Sequence, residues 1–271
     1  MEFRPRSGVN PRNMFDTDTS TGTPAEYIAR RTKTVGEMFL RRVERDTDKP
    51  AFFFKADGEW QPVSWNEFAE RSGAVASYLM GLGLQVGDKF CMVGSTKPAW
   101  CYCDIGGQLA GAVTLGAYPT LTPKQLAYIL DHADAKVAFV EGIEEINKIL
   151  ARRQELTQLE KVIVWDTAGA ESLMAAHDWL VPFDRVLATP VDRAAIEARA
   201  AEVDPSATAI IVYTSGTTGP PKGAMISHAN IMTIMRDQDE ALQVYEEDTS
   251  LSFLPMAHVA ERVLAFYGRI N

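Results

Sequence analysis

The chain has 271 residues, 46% hydrophobic and 23% charged, a composition that can bury a large core and reads as a soluble globular α/β protein. A net charge of −9 with no sustained grouping of Lys and Arg excludes a nucleic-acid partner, which needs a basic face to neutralise phosphates. The three cysteines, Cys91, Cys101 and Cys103, form no C-x-x-C pair and fit a reducing cytoplasm better than a disulfide scaffold, and neither an apolar leader nor a run of about 18 apolar residues is visible.

Residues 1–33 are polar, rich in Thr, Pro and Asp, and read as an extended arm. Val35, Met38, Phe39 and Val43 then share one face of a predicted helix over 34–45. Asp57-Gly58 between two strand-like runs signals a hairpin. Ser64 with Glu67 reads as a capping box, opening a helix that ends at Gly81 or Gly83. Strands are predicted at 90–93, 113–118, 136–140 and 161–165, alternating with helices near 98–110, 123–132 and 143–156; a further helix covers 193–202. Thr122, Pro123 and Gln125 give the 123–132 helix a well-formed start. Such alternation implies parallel strands with a crossover helix over each return, so both faces of the sheet are covered.

The apolar run 209–212 leads into residues 213–223, which hold four aliphatic hydroxyls (Thr214, Ser215, Thr217, Thr218), three glycines (Gly216, Gly219, Gly223) and Lys222. Glycine permits turns closed to other residues and leaves backbone N–H groups accessible, so amides and hydroxyls can face an anion together. After Gly223 come the short apolar piece 224–226 and Ser227, in N-cap position before Ile231, Ile234, Met235 and Leu242 at helical spacing. The order is therefore strand, loop, strand, helix. A P-loop needs G-x-x-x-x-G-K-[ST] running directly into a helix, and no register of this segment supplies it. The remaining alternatives are an anion cradle of another kind or a Gly/Thr-rich turn without a ligand.

Thr214 to Gly223, T-S-G-T-T-G-P-P-K-G, resembles the phosphate-loop signature of the adenylate-forming superfamily. The stretch L-P-M-A-H-V-A-E-R at 254–262 resembles the L-P-x-A-H-x-x-E-R motif of its long-chain fatty acyl-CoA synthetases. Two upstream segments, V-S-W-N-E-F at 63–68 and Q-L-A-G-A-V with G-A-Y-P-T at 108–120, are similar to earlier motifs of the same family, and all four stand in the family's order.

The resemblance implies an α/β fold with parallel-rich sheets flanked by helices, the N-terminal part of the large domain of an adenylate-forming enzyme. Residues 34–203 would be a first subdomain and 204–271 the start of a second. It further implies a long-chain fatty acid–CoA ligase that joins a fatty acid to AMP from ATP, releases pyrophosphate and passes the acyl group to coenzyme A. By that resemblance Gly216, Thr217, Thr218 and Gly219 would wrap the β- and γ-phosphates. Thr214 and Ser215 would supply hydroxyls, Lys222 would neutralise the leaving pyrophosphate, and Mg²⁺ would bridge phosphate oxygens with no protein metal ligand in this chain. His258 would lie beside the acyl carboxylate as orienter and lid, after a strand at 251–254. Glu261 and Arg262 are expected to serve as an internal ion pair, His228 as a structural residue at a helix start, and His132 and His177 as surface residues.

The superfamily's enzymes are about twice this length, so the adenosine end of the site and the small C-terminal domain are expected to lie in a missing half of the same enzyme, and the chain alone is expected to be inactive. A lipid substrate could bring it to a membrane periphery. Two other readings stay open: a ligase acting on a carrier protein or in peptide synthesis, and a non-catalytic binding fragment.

Overall fold

The structure, a computed structural model, describes residues 28, 31–214, 220–242, 244–245 and 248–271. Thr34 opens α1 (Val35–Asp46) by accepting from the Glu37 N–H. A hairpin of β1 (Pro50–Ala56) and β2 (Glu59–Ser64) follows; its turn residues Asp57 and Gly58 both take positive φ (52° and 85°), the type I′ conformation the sequence signals. Ser64 then caps α2 (Trp65–Gly81) by accepting from Glu67 N–H, while the Glu67 carboxylate pairs with Arg71 one turn on.

Strand and helix then alternate through β3 (Lys89–Val93), α3 (Pro98–Leu109), β4 (Val113–Ala117), α4 (Pro123–His132), β5 (Ala135–Val140), α5 (Ile143–Leu150) and β6 (Lys161–Val164). They continue through α6 (Glu171–Ala176), β7 (Leu180–Pro182), α7 (Phe183–Leu187), α8 (Arg193–Glu202), β8 (Thr208–Thr214), β9 (Lys222–Ser227) and α9 (His228–Ala241). Strands β3 to β9 make one seven-stranded sheet in the order β7-β6-β5-β3-β4-β8-β9, parallel except for the final β8-β9 pair. The sheet runs unbroken past residues 203 and 204, because β8 pairs directly with β4.

The period of two in the strands divides the core into two layers. Phe90, Met92, Val137, Phe139 and Ile210 face one side, where α1, α2, α3 and α9 pack. Cys91, Val93, Ala138, Val140 and Ile211 face the other, against α4 and α5. The chain moves from β3 to its neighbour β4, then crosses back over β3 to β5, so α3 and α4 lie on opposite faces. This makes the carboxyl ends of β3 and β4 a topological switch point, the place where open α/β sheets form a crevice.

Two sequence expectations need correction, and one stretch was not read at all. The helix from 143 stops at Leu150 and a separate 3₁₀ turn covers Arg153–Glu155, because buried Leu156 reaches the core from that turn and the Arg153 guanidinium ties it to the carbonyls of Leu156 and Leu159. Residues 166–192 hold three short elements that no periodicity announces. The expected strand at 251–254 is not formed: the Leu254 carbonyl accepts from the Thr96 hydroxyl and its N–H donates to Glu261, so side chains take the bonds that a neighbouring strand would make.

Among the described residues no helix is long and apolar enough to cross a membrane.

Candidate functional site

The two strands that flank the hydroxyl-rich segment, β8 and β9, pair antiparallel at the sheet edge. Thr214, the last residue of β8, stands opposite Lys222, the first of β9, and both side chains are exposed. Ser215, Gly216, Thr217, Thr218 and Gly219 lie outside the described residues. Ser227 opens α9 with a full capping box to Asn230. The hairpin therefore leads into a second strand before any helix, the arrangement that excludes a P-loop.

Both stems of the hairpin rest on α4. Tyr213 Oη lies 2.8 Å from His132 Nδ1, and Tyr128, whose ring stacks on His132, donates to the Pro221 carbonyl at 3.1 Å. Burial pushes the Tyr213 phenol up to about 12, so it stays protonated. His132, read from sequence as a surface residue, thus braces the residue that precedes Thr214. A helical i, i+4 pair of Tyr128 and His132 was the available signal.

His258 sits on an exposed turn after Pro255, with its N–H donating to the Pro255 carbonyl at 2.8 Å. Its ring Nδ1 accepts from the Ala260 N–H at 3.2 Å, which leaves Nε2 to carry the proton in the neutral ring. That ring presents a donor outward, suited to a carboxylate oxygen. The chain then enters a π-helical stretch, Ala260–Tyr267, a rare form that is frequent at functional sites.

The histidine turn and the hairpin meet through one glycine. Gly116 of β4 pairs with Val212 of β8, two residues before Thr214. A methyl group on Gly116 would lie 2.9 Å from the Ala257 Cα, so only glycine lets the chain beside His258 approach the strand this closely. Both segments accordingly stand at the carboxyl edge of the β3-β4-β8 ladder.

Arg262 is 1% exposed and its carboxylate partner is Asp104 of α3, not Glu261. Its Nε donates to Asp104 Oδ2 at 2.9 Å, its Nη2 to Asp104 Oδ1 and Thr114 Oγ1, and its Nη1 to the Thr114 carbonyl at 3.3 Å. Buried Tyr267 donates to the same carboxylate at 3.0 Å, and burial keeps its phenol protonated. Glu261 instead holds the Leu254 N–H. Asp104 and Thr114 were not singled out in the sequence, since nothing in spacing marks a carboxylate on an otherwise apolar helix as the mate of an arginine 158 positions away.

His228 is buried at the first position of α9, where its Nδ1 accepts from Val35 N–H at 3.2 Å; burial pulls its imidazole down to about 4. Burial also raises all three thiols, Cys91 to about 12, which leaves them protonated and unreactive at neutral pH. A cavity of about 170 Å³ lies at the opposite, amino ends of β3, β4 and β8, lined mainly by Val86, Val113, Val203, Ile211 and Met225; Thr214, Lys222 and His258 do not line it.

The described residues thus define an α/β protein with a mostly parallel sheet whose carboxyl edge carries the β8-β9 pair and the His258 turn, the edge where open α/β sheets form a crevice. The profile of the AMP-binding enzyme family matches residues 39–270, and the chain belongs to that family. The long-chain-fatty-acid–CoA ligase ACSBG1 of Macaca fascicularis is 27% identical over 242 residues, which is 88% of this chain and 33% of that protein. ACSBG2 of Rattus norvegicus is 28% identical over 239 residues, 85% of this chain and 35% of the relative. The chain spans about a third of the length of these curated relatives. Among solved structures, a Mycobacterium tuberculosis fatty acyl CoA synthetase superposes with a TM-score of 0.72 at 20% identity, covering 88% of this chain and 43% of that one. The A domain of a carboxylic acid reductase from Segniliparus rugosus, solved with AMP and a co-purified carboxylic acid, gives 0.73 at 22% identity over 94% of this chain and 47% of its own. These neighbours share the fold of this chain, a mixed α/β arrangement in which helices flank its mostly parallel seven-stranded sheet.

Proposed function

We propose that the protein carrying this sequence is a long-chain fatty acid–CoA ligase, and that this chain supplies the phosphate and carboxylate contacts of its adenylation site. The observation that carries the reading is the junction at Gly116, where the strand leading to Thr214 and the turn bearing His258 come together on one sheet edge. The substrates are MgATP, a fatty acid and coenzyme A, with Mg²⁺ entering on the polyphosphate.

A carboxylate is a poor acyl donor because its leaving group would be oxide. Attack of a carboxylate oxygen on the α-phosphorus forms a mixed anhydride and breaks the bond to the β-phosphate, releasing pyrophosphate. The thiol of coenzyme A then forms the thioester and expels AMP. Negative charge gathers at both ends of the first step, so donors must already stand where it develops. Lys222 and the Thr214 hydroxyl, with Ser215, Gly216, Thr217, Thr218 and Gly219, serve the polyphosphate end. His258 Nε2–H serves the carboxylate end, orienting one oxygen for in-line attack.

Product analysis tests this. The full-length protein given MgATP, a labelled fatty acid and coenzyme A is expected to yield AMP and an acyl thioester in equal amounts. Formation of ADP, or of no thioester with any chain length, would overturn the reading.

A further inference from the structure

We propose that Thr96, with the buried Asp104–Arg262 pair as its counterpart, is a positioning residue that sets the His258 turn against the acyl carboxylate; this rests on the reading of His258 given above. The turn has no strand pairing of its own, so its placement depends on what grips its two ends. At the leading end Thr96 makes two bonds with one hydroxyl, donating to the Leu254 carbonyl at 2.9 Å and accepting from the Met256 N–H at 3.2 Å. At the trailing end the Arg262 guanidinium is locked in a planar fork on Asp104 and Thr114 beneath the sheet. Between them Ala257 lies flat on Gly116, which removes the last freedom of approach.

Thr96 is itself held. It follows β3 at the switch point, and its neighbours on both sides are tied to Glu141 at the end of β5. Ser95 donates its N–H at 2.6 Å and its hydroxyl at 2.9 Å to that carboxylate, and Lys97 forms an ion pair with it. Although burial pushes the Glu141 carboxyl up, Lys97 and Ser95 hold it below the usual carboxylate range, so the brace is charged at neutral pH. The loop carrying Thr96 is thus fixed to two adjacent strands, and the histidine turn is fixed to the loop. An exposed threonine with no place in a recognised motif becomes the link between the rigid sheet and the reacting end of the site.

The test uses the full-length protein and separates the Michaelis constants for fatty acid and MgATP in acyl-adenylate formation. Thr96→Val keeps the shape and removes both bonds. The expected result is a fatty-acid KM about tenfold higher, with the MgATP KM and the melting temperature unchanged, because a small misplacement of an orienting group acts on its own substrate. Thr96→Ser keeps the hydroxyl and is expected to restore the wild-type fatty-acid KM. The paired change Asp104→Leu with Arg262→Met replaces the buried ions by apolar groups of similar size, which buried pairs generally tolerate, and is expected to fold yet show the same selective rise. If His258→Ala raises the fatty-acid KM while Thr96→Val and the folded double variant do not, the positioning proposal is overturned and the reading of His258 stands. If His258→Ala leaves that KM unchanged, the reading of His258 itself falls, and the proposal with it.

Discussion

Lys222 opposes Thr214 across the β8-β9 pair, and in the proposed adenylation it neutralises the departing pyrophosphate. Replacing it with alanine in the full-length enzyme is expected to cost about 2 to 4 kcal/mol of transition-state stabilisation, the scale of one lost charge-stabilising donor. Single-turnover kinetics would register this as a fall in the adenylation rate, and an unchanged rate would remove Lys222 from the mechanism. His228 makes a prediction about pH. Its imidazole is held down to about 4 by burial, against roughly 6.5 in an unfolded chain. Below 6.5 the unfolded state takes up a proton that the folded state refuses until about 4. The stability it contributes is therefore complete above 6.5 and is lost as pH falls toward 4, by roughly 3 kcal/mol in all. Denaturant melts between pH 7.5 and 4.5 should show the decline, and His228→Asn, which can keep an acceptor for Val35, should flatten it. A parallel decline in the variant would assign the effect to other groups.

Elements with a local cause were legible in the sequence. Ser64, Thr122 and Ser227 each cap the helix they were expected to open, and Asp57-Gly58 makes the expected hairpin. The strands ending at Thr214 and starting at Lys222, with the cap at Ser227, were readable for the same reason, since they sit within one short window. What could not be read depends on partners distant in the chain. β7, three residues long, is a strand only because β6 lies beside it, and at the end of 251–254 the backbone groups of Leu254 go to Thr96 and Glu261 instead of to a strand. Asp104 could not be matched to Arg262 until the fold put α3 beneath the π-helical stretch. Energetics sharpens that last pair: with its partner gone, the Arg262 charge is left buried and uncompensated, so Asp104→Ala is expected to lower stability by about 3 to 5 kcal/mol. The double replacement by apolar residues should recover most of it. Equal losses in single and double variants would show that the pair is not coupled.

Among the described residues the sheet ends at β9, whose Met225 is 70% exposed, and Leu251 and Phe253 are exposed to 70% and 75%. Unpaired edge groups beside bare apolar side chains favour association. Expressed by itself, the 271-residue chain is therefore expected to self-associate in light scattering, and a monodisperse, cooperatively melting monomer would contradict this. The candidate site stands at the sheet's carboxyl edge, where β4 meets both the strand leading to Thr214 and the turn bearing His258. Whether that edge activates a carboxylate is tested most directly by exchange of labelled pyrophosphate into ATP, measured on the full-length protein with fatty acids of graded length. Exchange that requires a long-chain fatty acid, needs no coenzyme A and collapses in Lys222→Ala is the predicted result. Exchange absent for every fatty acid would contradict the account.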